Sequence, residues 1–471
     1  MKDLSVLKKL SVAFSLLATT LLVAEDANLT QEQSLSTPIE VNQSITSQNR
    51  QDINSSSVLF DDQQMTPGEQ KKSTTSLEDY LSELKRKQFG YQYEKTDQES
   101  SKLRDSWIRP VMLRYNLTRQ NPYNEQTSAD TETENQTASI AIDQPIFQSG
   151  GIIYGVKFAN ASREFANYSI DQQKRIMIKQ TIDLLMQVKQ SDLTIAKQKL
   201  QIANSTINLE QKREQYLNGQ LDSGFLNNAI IELNLVKQSL FDLETRNAQL
   251  ISQFKKLSDL DPKTAKIPFL AIIDEKKFLE ENIDIKLAES ESEKNRFNKN
   301  VTLVKYLPSI NLQASYNWQS QESFFYFGSA PNKSTPPNTT YYRYGISASM
   351  PLDINSYNDF EASKVEYLKS LVVIDDKKRE LKLLFDQVMD NLTNYDKKIA
   401  LAEENRVLYE TLLKDTIDLF KAGYKTQYDV DILSNSMGIE EINKNIYEID
   451  KQLELLTLYE KMTKAPAEES E

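Results

Sequence analysis

The chain has 471 residues with neither histidine nor cysteine, so a Ser-His-Asp triad, a thiol nucleophile, disulfides and metal sites ligated by those side chains are excluded. Lys and Arg total 56 against 68 Asp and Glu, and the resulting net charge of −12 repels phosphate backbones, so no nucleic acid is expected as a partner. Only 11 Gly and 13 Pro interrupt this length, which predicts long unbroken helices.

Residues 1–24 read as a signal peptide: Lys2, Lys8 and Lys9 precede an apolar run from Val12 to Val23, and Leu22-Val23-Ala24 forms an imperfect but usable cleavage box. A lone amphipathic helix or membrane anchor is the alternative, but the run falls well short of the ~20 apolar residues that span a bilayer. Without cysteine, the exported chain has no site for a lipid thioether. Residues 25–75 are rich in Gln, Ser, Thr and Asn and are expected to form a disordered polar leader. A short acidic tail occupies 465–471.

Between these ends one order of features occurs twice, about 205 residues apart. The first repeat, 76–262, has a helix at about 77–105, a strand pair at 108–119 and 136–147, a long helix at 152–217 and a returning helix at 224–260. The second, 276–464, has a helix at about 276–304, a strand pair at 307–318 and 340–351, a long helix at 356–421 and a returning helix at 427–463. A linker at 263–275 joins them. Heptad seams run along the helices: Leu381, Phe385, Val388, Leu392, Tyr395, Ile399 and Ala402; Leu193, Ala196, Leu200, Ala203 and Ile207; and Ile442, Ile446, Ile449, Leu453 and Leu456. Each long helix reaches about 100 Å at 1.5 Å per residue, and two shorter helices end on end match that length. A soluble coiled coil accounts for the seams alone, whereas the matched lengths suit a cylinder wall.

All four strands alternate. Ile310, Leu312, Ala314, Tyr316 and Trp318 oppose Ser309, Asn311, Gln313, Ser315 and Asn317; Tyr342, Tyr344, Ile346, Ala348 and Met350 oppose Arg343, Gly345, Ser347 and Ser349. In the first repeat Val111, Leu113, Tyr115 and Leu117 oppose Arg114, Asn116 and Thr118, while Ala138, Ile140 and Ile142 oppose Thr137, Ser139 and Asp143. Such strands, at about 10 residues and ~40° tilt, span roughly 25 Å of bilayer. A half-buried sheet of a soluble sandwich gives the same alternation. Four strands are too few for a membrane barrel, which needs about eight, and open edges in hydrocarbon leave backbone groups unpaired, so the chain is expected to oligomerise. Trp318, Tyr341 and Tyr342 flank an expected hairpin loop from Gln319 to Thr340, and Trp107 lies near the opposite end, where interfacial aromatics belong.

Gln144-Pro145-Ile146-Phe147 with Gly150-Gly151, Tyr306-Leu307-Pro308-Ser309-Ile310, Met350-Pro351-Leu352, and Gly423 with Thr426, Asp429 and Val430 occur in an order that resembles the TolC family of outer-membrane efflux proteins, from about Ser76 to Met462. The resemblance implies an all-α-dominated chain with membrane β-strands. It implies a homotrimer whose 12-stranded β-barrel, four strands per protomer, continues into a long periplasmic α-helical coiled-coil barrel. It also implies a periplasmic adaptor (membrane fusion) protein and an inner-membrane pump as partners, outer-membrane lipid around the barrel, a passive efflux or type I secretion duct, and no cofactor.

In this resemblance the turns at Gly219 and Gly423 are helical tips that dock the adaptor, with Thr426 and Asp222 as N-caps of the returning helices. Asp429 matches a lumen-facing gate acid by position, with Asp431 beside it, Lys425 as a basic clasp partner and Asp222 at the equivalent turn. Thr426 and Asp429 also form a capping box, so Asp429 reads equally as a cap. The first repeat departs from the family pattern, with Phe225 where an acid would complete a matching ring. A periplasmic coiled-coil adaptor or scaffold is the competing function, though it has no use for lipid-facing strands. An enzyme is not expected, since no phosphate loop or nucleophile elbow is present.

Overall fold

The computed structural model describes residues 76–121, 123–124, 129–327, 330–334 and 336–463. The signal, the polar leader and the acidic tail lie outside them. Two α–β–β–α–α series follow one another. A 3-10 turn at Leu77–Tyr80 precedes α1 (Glu83–Arg104), β1 (Met112–Gln120), β2 (Tyr123–Asn124), β3 (Ala129–Phe147), α2 (Gly151–Leu217) and α3 (Ser223–Lys255). Then come α4 (Glu275–Glu280), α5 (Ile283–Lys305), β4 (Ser309–Phe327), β5 (Ala330–Ser334), β6 (Thr339–Ser349), α6 (Ser356–Lys421) and α7 (Gln427–Glu460).

The long helices α2 and α6 have 67 and 66 residues. Toward the sheet α2 packs against α1 and α5, and toward its other end against α3 and α7; α6 packs against α5 and α7 in the same manner. The shorter helices meet end on end at two matching joints. At the first, Ser82 donates its backbone N–H to the Leu257 carbonyl (2.8 Å), and Glu83 N–H donates to Asp259 Oδ2 (2.9 Å). At the second, Ile283 N–H donates to the Lys461 carbonyl (2.7 Å), and Thr463 N–H returns to Glu281 (2.8 Å).

These joints correct the expected helix bounds. The helix expected from Leu77 is broken at Ser82, which caps α1, and the one expected from Lys276 is broken at the fully buried Asn282, whose Oδ1 accepts from Asp284 N–H. The returning helices end at Lys255 and Glu460, short of 260 and 463, because the residues beyond turn their backbone groups to the joints. A helix end otherwise leaves such groups without partners.

The core gathers at this level. Ile182, Leu185 and Met186 of α2, Phe254 of α3, Leu381 and Phe385 of α6, and Ile449, Leu455 and Leu456 of α7 are buried together. Leu270 and Ile273 of the 256–274 strap and Phe278 of α4 join them. The strap is held by side chains: Gln452 Oε1 accepts from Leu270 N–H (2.8 Å), and the Tyr459 hydroxyl contacts the N–H and C=O of Ala271, each at 3.1 Å. Each fully buried large side chain contributes about 1.5–3 kcal/mol. The seam on α6 is buried at Leu381, Phe385, Val388, Leu392 and Ala402. On α2, however, Ala196 is exposed and its seam is only half-buried in the single chain.

The strands form one antiparallel sheet in the order β1-β3-β4-β6, with β2 and β5 extending the hairpins. Pro110 and Pro308 lack the N–H a ladder needs, so β1 and β4 begin at Met112 and Ser309, later than expected. At the other end pairing continues past the expected limits. β3 begins at Ala129 and β4 runs to Phe327, through the stretch expected as loop. Alternation fades there although the ladder does not, because backbone pairing needs no apolar face, and Phe324 and its aromatic neighbours favour extended backbone.

Candidate functional site

Two regions carry the residues singled out from the sequence. The first is the sheet, whose register puts the apolar positions of all four strands on one face. Leu113 pairs with Ile140, Ile140 with Tyr316, and Tyr316 with Tyr342; one rung away, Ile142 pairs with Ala314 and Ala314 with Tyr344. Tyr342 and Tyr344 stack on this face, 6.2 Å between ring centroids. The opposite face holds Arg114, Ser139, Asn317 and Tyr341 on one rung, and Met112, Ala141, Ser315 and Arg343 on the next. Tyr341 therefore parts from its expected companions, because its strand position sets it on the polar face. Trp318 and Tyr342 lie on the apolar face, and Trp318 is mid-strand rather than at a loop.

Beyond Trp318 the apolar face turns ionic. Arg119 Nε binds Glu134 Oε2 at 2.7 Å, Glu134 pairs in register with Glu322, and Glu322 Oε2 binds Lys333 Nζ at 2.8 Å. At the other end the Gln144 amide donates to the Trp107 carbonyl (3.0 Å) and accepts from Arg109 N–H (3.0 Å). This clamp gives Gln144-Pro145 a physical role that the motif alone did not reveal. Among the described residues no helix is long and apolar enough to cross a membrane.

The second region is the pair of turns that end the long helices, and they close alike. Gly219 (φ +71°) donates to the Tyr216 carbonyl (3.0 Å) and Gln220 to Gln215 (2.8 Å); Gly423 (φ +82°) donates to Phe420 (3.0 Å) and Tyr424 to Leu419 (2.9 Å). This double closure requires a left-handed residue, which glycine adopts without strain. The returning helices are capped by Asp222, whose Oδ1 accepts from Gly224 N–H (3.1 Å), and by Thr426, whose Oγ1 accepts from Asp429 N–H (3.3 Å). The Asp429 carboxylate reaches back to Thr426 N–H (3.0 Å) and to its hydroxyl (2.9 Å), so the capping reading of Asp429 describes its geometry.

Those bonds fix the charges. The Thr426 N–H holds the Asp429 carboxyl below the usual carboxylate range, against a smaller opposing effect of burial. Gly224 N–H, then the Ser223 hydroxyl, do the same for Asp222. Lys425 Nζ lies 3.9 Å from Asp429 Oδ1, a partly exposed pair within one turn, and Asp431 accepts from Gln427 Nε2 at 2.8 Å. Asp222 belongs to the other hairpin and has no described contact with Asp429. What does link the hairpins is a polar seam between α2 and α7. Tyr428 Oη donates to Glu214 (3.3 Å), Asn435 Nδ2 to Asn204 Oδ1 (2.8 Å), and Lys197 Nζ to Asn443 Oδ1 (2.8 Å). Sequence reasoning missed this seam, since it lies between segments far apart in the chain.

No family model and no curated protein sequence matches the chain. Solved structures do. VceC, an outer-membrane protein of Vibrio cholerae, aligns with a TM-score of 0.61 at 13% identity, covering 82% of this chain and 96% of its own. The Campylobacter jejuni CmeC outer-membrane channel aligns at 0.62 and 12% identity, covering 93% and 94%. The open-state MtrE outer-membrane channel of Neisseria gonorrhoeae aligns at 0.55 and 13% identity, covering 83% and 88%. The fold is TolC-like. Among the described residues no cluster of acidic side chains could hold a metal ion.

Proposed function

We propose that this protein is an outer-membrane exit duct with a periplasmic extension, a passive conduit assembled from three copies. One observation carries the reading: four strands place their apolar residues on a single face in continuous register, while the outer edges of β1 and β6 have no strand partner among the described residues. Edges of that kind in hydrocarbon leave backbone donors and acceptors unsatisfied, and joining β6 of one copy to β1 of the next removes them. Three copies supply 12 strands, enough for an aqueous lumen on the polar face. The apolar rungs from Ile310 to Trp318 then meet lipid, and the ionic group at Arg119, Glu134, Glu322 and Lys333 meets the headgroups.

The helical tips at Gly219 and Gly423 are the docking ends for a periplasmic adaptor protein, and through it for an inner-membrane pump of a tripartite efflux or type I secretion system. Asp429 and Asp431 stand close enough to the tip to narrow and charge the entrance. Opening separates α7 from α2 along the Tyr428–Glu214 and Asn435–Asn204 contacts. Polar contacts suit such a movement because water replaces them at low net cost.

Extraction and conductance test the reading. The protein is expected to leave outer membranes only with detergent, to run at three times the protomer mass, and to conduct ions in planar bilayers. A freely dissolved monomer that never inserts into liposomes would refute it.

A further inference from the structure

We propose that Arg114 and Arg343 form an anion-selecting station inside the barrel, one that binds solutes carrying several phosphate, sulfate or carboxylate groups. The inference rests on the exit-duct reading, in which the polar face of the sheet lines the lumen. Among the described strand residues of that face, from Met112 to Gln120 of β1, Thr133 to Asp143 of β3, Ser309 to Ser323 of β4 and Thr339 to Ser349 of β6, the only acid is Asp143. Its Oδ2 is taken by Arg109 Nη1 at 2.7 Å, and its Oδ1 is enclosed.

Arg114 and Arg343 are exposed, sit on adjacent rungs, and have no ion-pair partner among the described residues. Three arginines against one aspartate leave an excess of two positive charges per chain, on a protein whose formal net charge is −12. Both line a concavity of about 550 Å³, together with Gln313, Ser315 and Gly345 and the paired Arg109 and Asp143. The amide and the hydroxyl offer further donors, and Gly345 has no atoms near its missing side chain to crowd a ligand. Arginine presents a planar fork that grips phosphate or carboxylate in two places.

The rung next to that of Arg343 puts Ala314 and Tyr344 on the opposite, apolar face of the sheet, where a low-dielectric wall concentrates the field into the lumen. Arg114 is on one edge strand and Arg343 on the other. Closing copies edge to edge sets the two arginine-bearing strands side by side, so the positive charge circles the lumen.

Inositol hexakisphosphate serves as the probe, measured by titration calorimetry on the detergent-purified protein and by block of single-channel current when added from the strand-hairpin side. The unaltered protein is expected to bind it and be blocked. In the Arg114→Gln/Arg343→Gln variant the blocking rate should fall by roughly tenfold or more, with chloride permeability falling relative to potassium. The Arg114→Lys/Arg343→Lys variant should recover part of both. Block and binding of the same strength in the glutamine variant, or none in the unaltered protein, overturn the proposal while leaving a conducting duct intact. Arginine-dependent binding without any conductance would instead sink the duct reading and keep the anion site.

Discussion

The side-chain amide of Gln144 holds the backbone on both sides of Ile108, giving its N–H to the Trp107 carbonyl and taking the Arg109 N–H, each at 3.0 Å. These residues lie where the first helix ends and the sheet begins, so the clamp sets the angle at which β1 leaves the helical layer. Gln144→Ala removes one exposed and one part-buried hydrogen bond, at about 0.5–1.5 kcal/mol each. Heat-resistant assembly in detergent gels should weaken in this variant, and Gln144→Glu, which keeps only the acceptor, should fall between.

Ala314 and Ser315 are neighbours on opposite faces of β4. An arginine at mid-bilayer on a lipid-facing position costs ~2–4 kcal/mol, so Ala314→Arg should impair barrel assembly, whereas Ser315→Arg should assemble and change conductance. Equal tolerance of both in membrane-insertion assays would reverse the assignment of faces.

Nothing lies within 4 Å of a side chain built at Gly219, Gly423 or Gly224, so substitutions there are judged on backbone alone. Gly219 and Gly423 have positive φ, and alanine at either should cost roughly 1–2 kcal/mol. Gly224 is in the first turn of α3, where alanine should stabilise by up to about 1 kcal/mol. Hydrogen exchange at the tips should rise in the first two variants and fall in the third.

The lowered titration of Asp429 gives its cap a pH dependence of known sign. A folded value below the ordinary 3.8 means the cap contributes fully above 3.8 and is lost as pH falls through the lower folded value. Amide exchange in the first turn of α7 should therefore accelerate only in strong acid. Asp429→Asn should abolish that dependence, and if the carboxylate also charges the entrance it should lower cation preference at neutral pH. Unchanged selectivity would leave Asp429 as a cap alone.

The α2–α7 seam near the tip links the two hairpins through polar contacts, Tyr428 to Glu214 and Asn435 to Asn204. Tyr428→Phe combined with Asn435→Ala should raise the conductance of the purified channel without lowering its melting temperature. A lower melting temperature and no added conductance would make the seam structural.

Much of this was legible in the sequence because periodicity survives folding. The alternation from Ile310 to Trp318 and the α6 seam from Leu381 to Ala402 each report which face meets which surroundings, and glycine at Gly219 and Gly423 marks turns that only a left-handed residue can make. Interruptions were legible only in part. Ser82 and Asn282 break expected helices because a distant segment offers them backbone partners, and no local pattern records a partner some 175 residues away, as Asp259 is from Glu83. The hairpin beyond Trp318 was lost for the converse reason, since its pairing persists where apolar alternation stops. The acids at the tips were found by resemblance, but whether a carboxylate caps its own helix or charges an opening depends on bonds such as Asp429 to Thr426.

The continued pairing of β3 and β4, from Thr137–Gln319 out to Thr131–Phe325, changes what the outside world meets. In the proposed duct, with the apolar rungs sunk in the outer membrane, that stretch would rise above the surface as a stiff parapet with most of its amides already engaged. Proteases, which need slack chain, would find little purchase there, whereas an antibody or a phage tail fibre would meet a fixed relief.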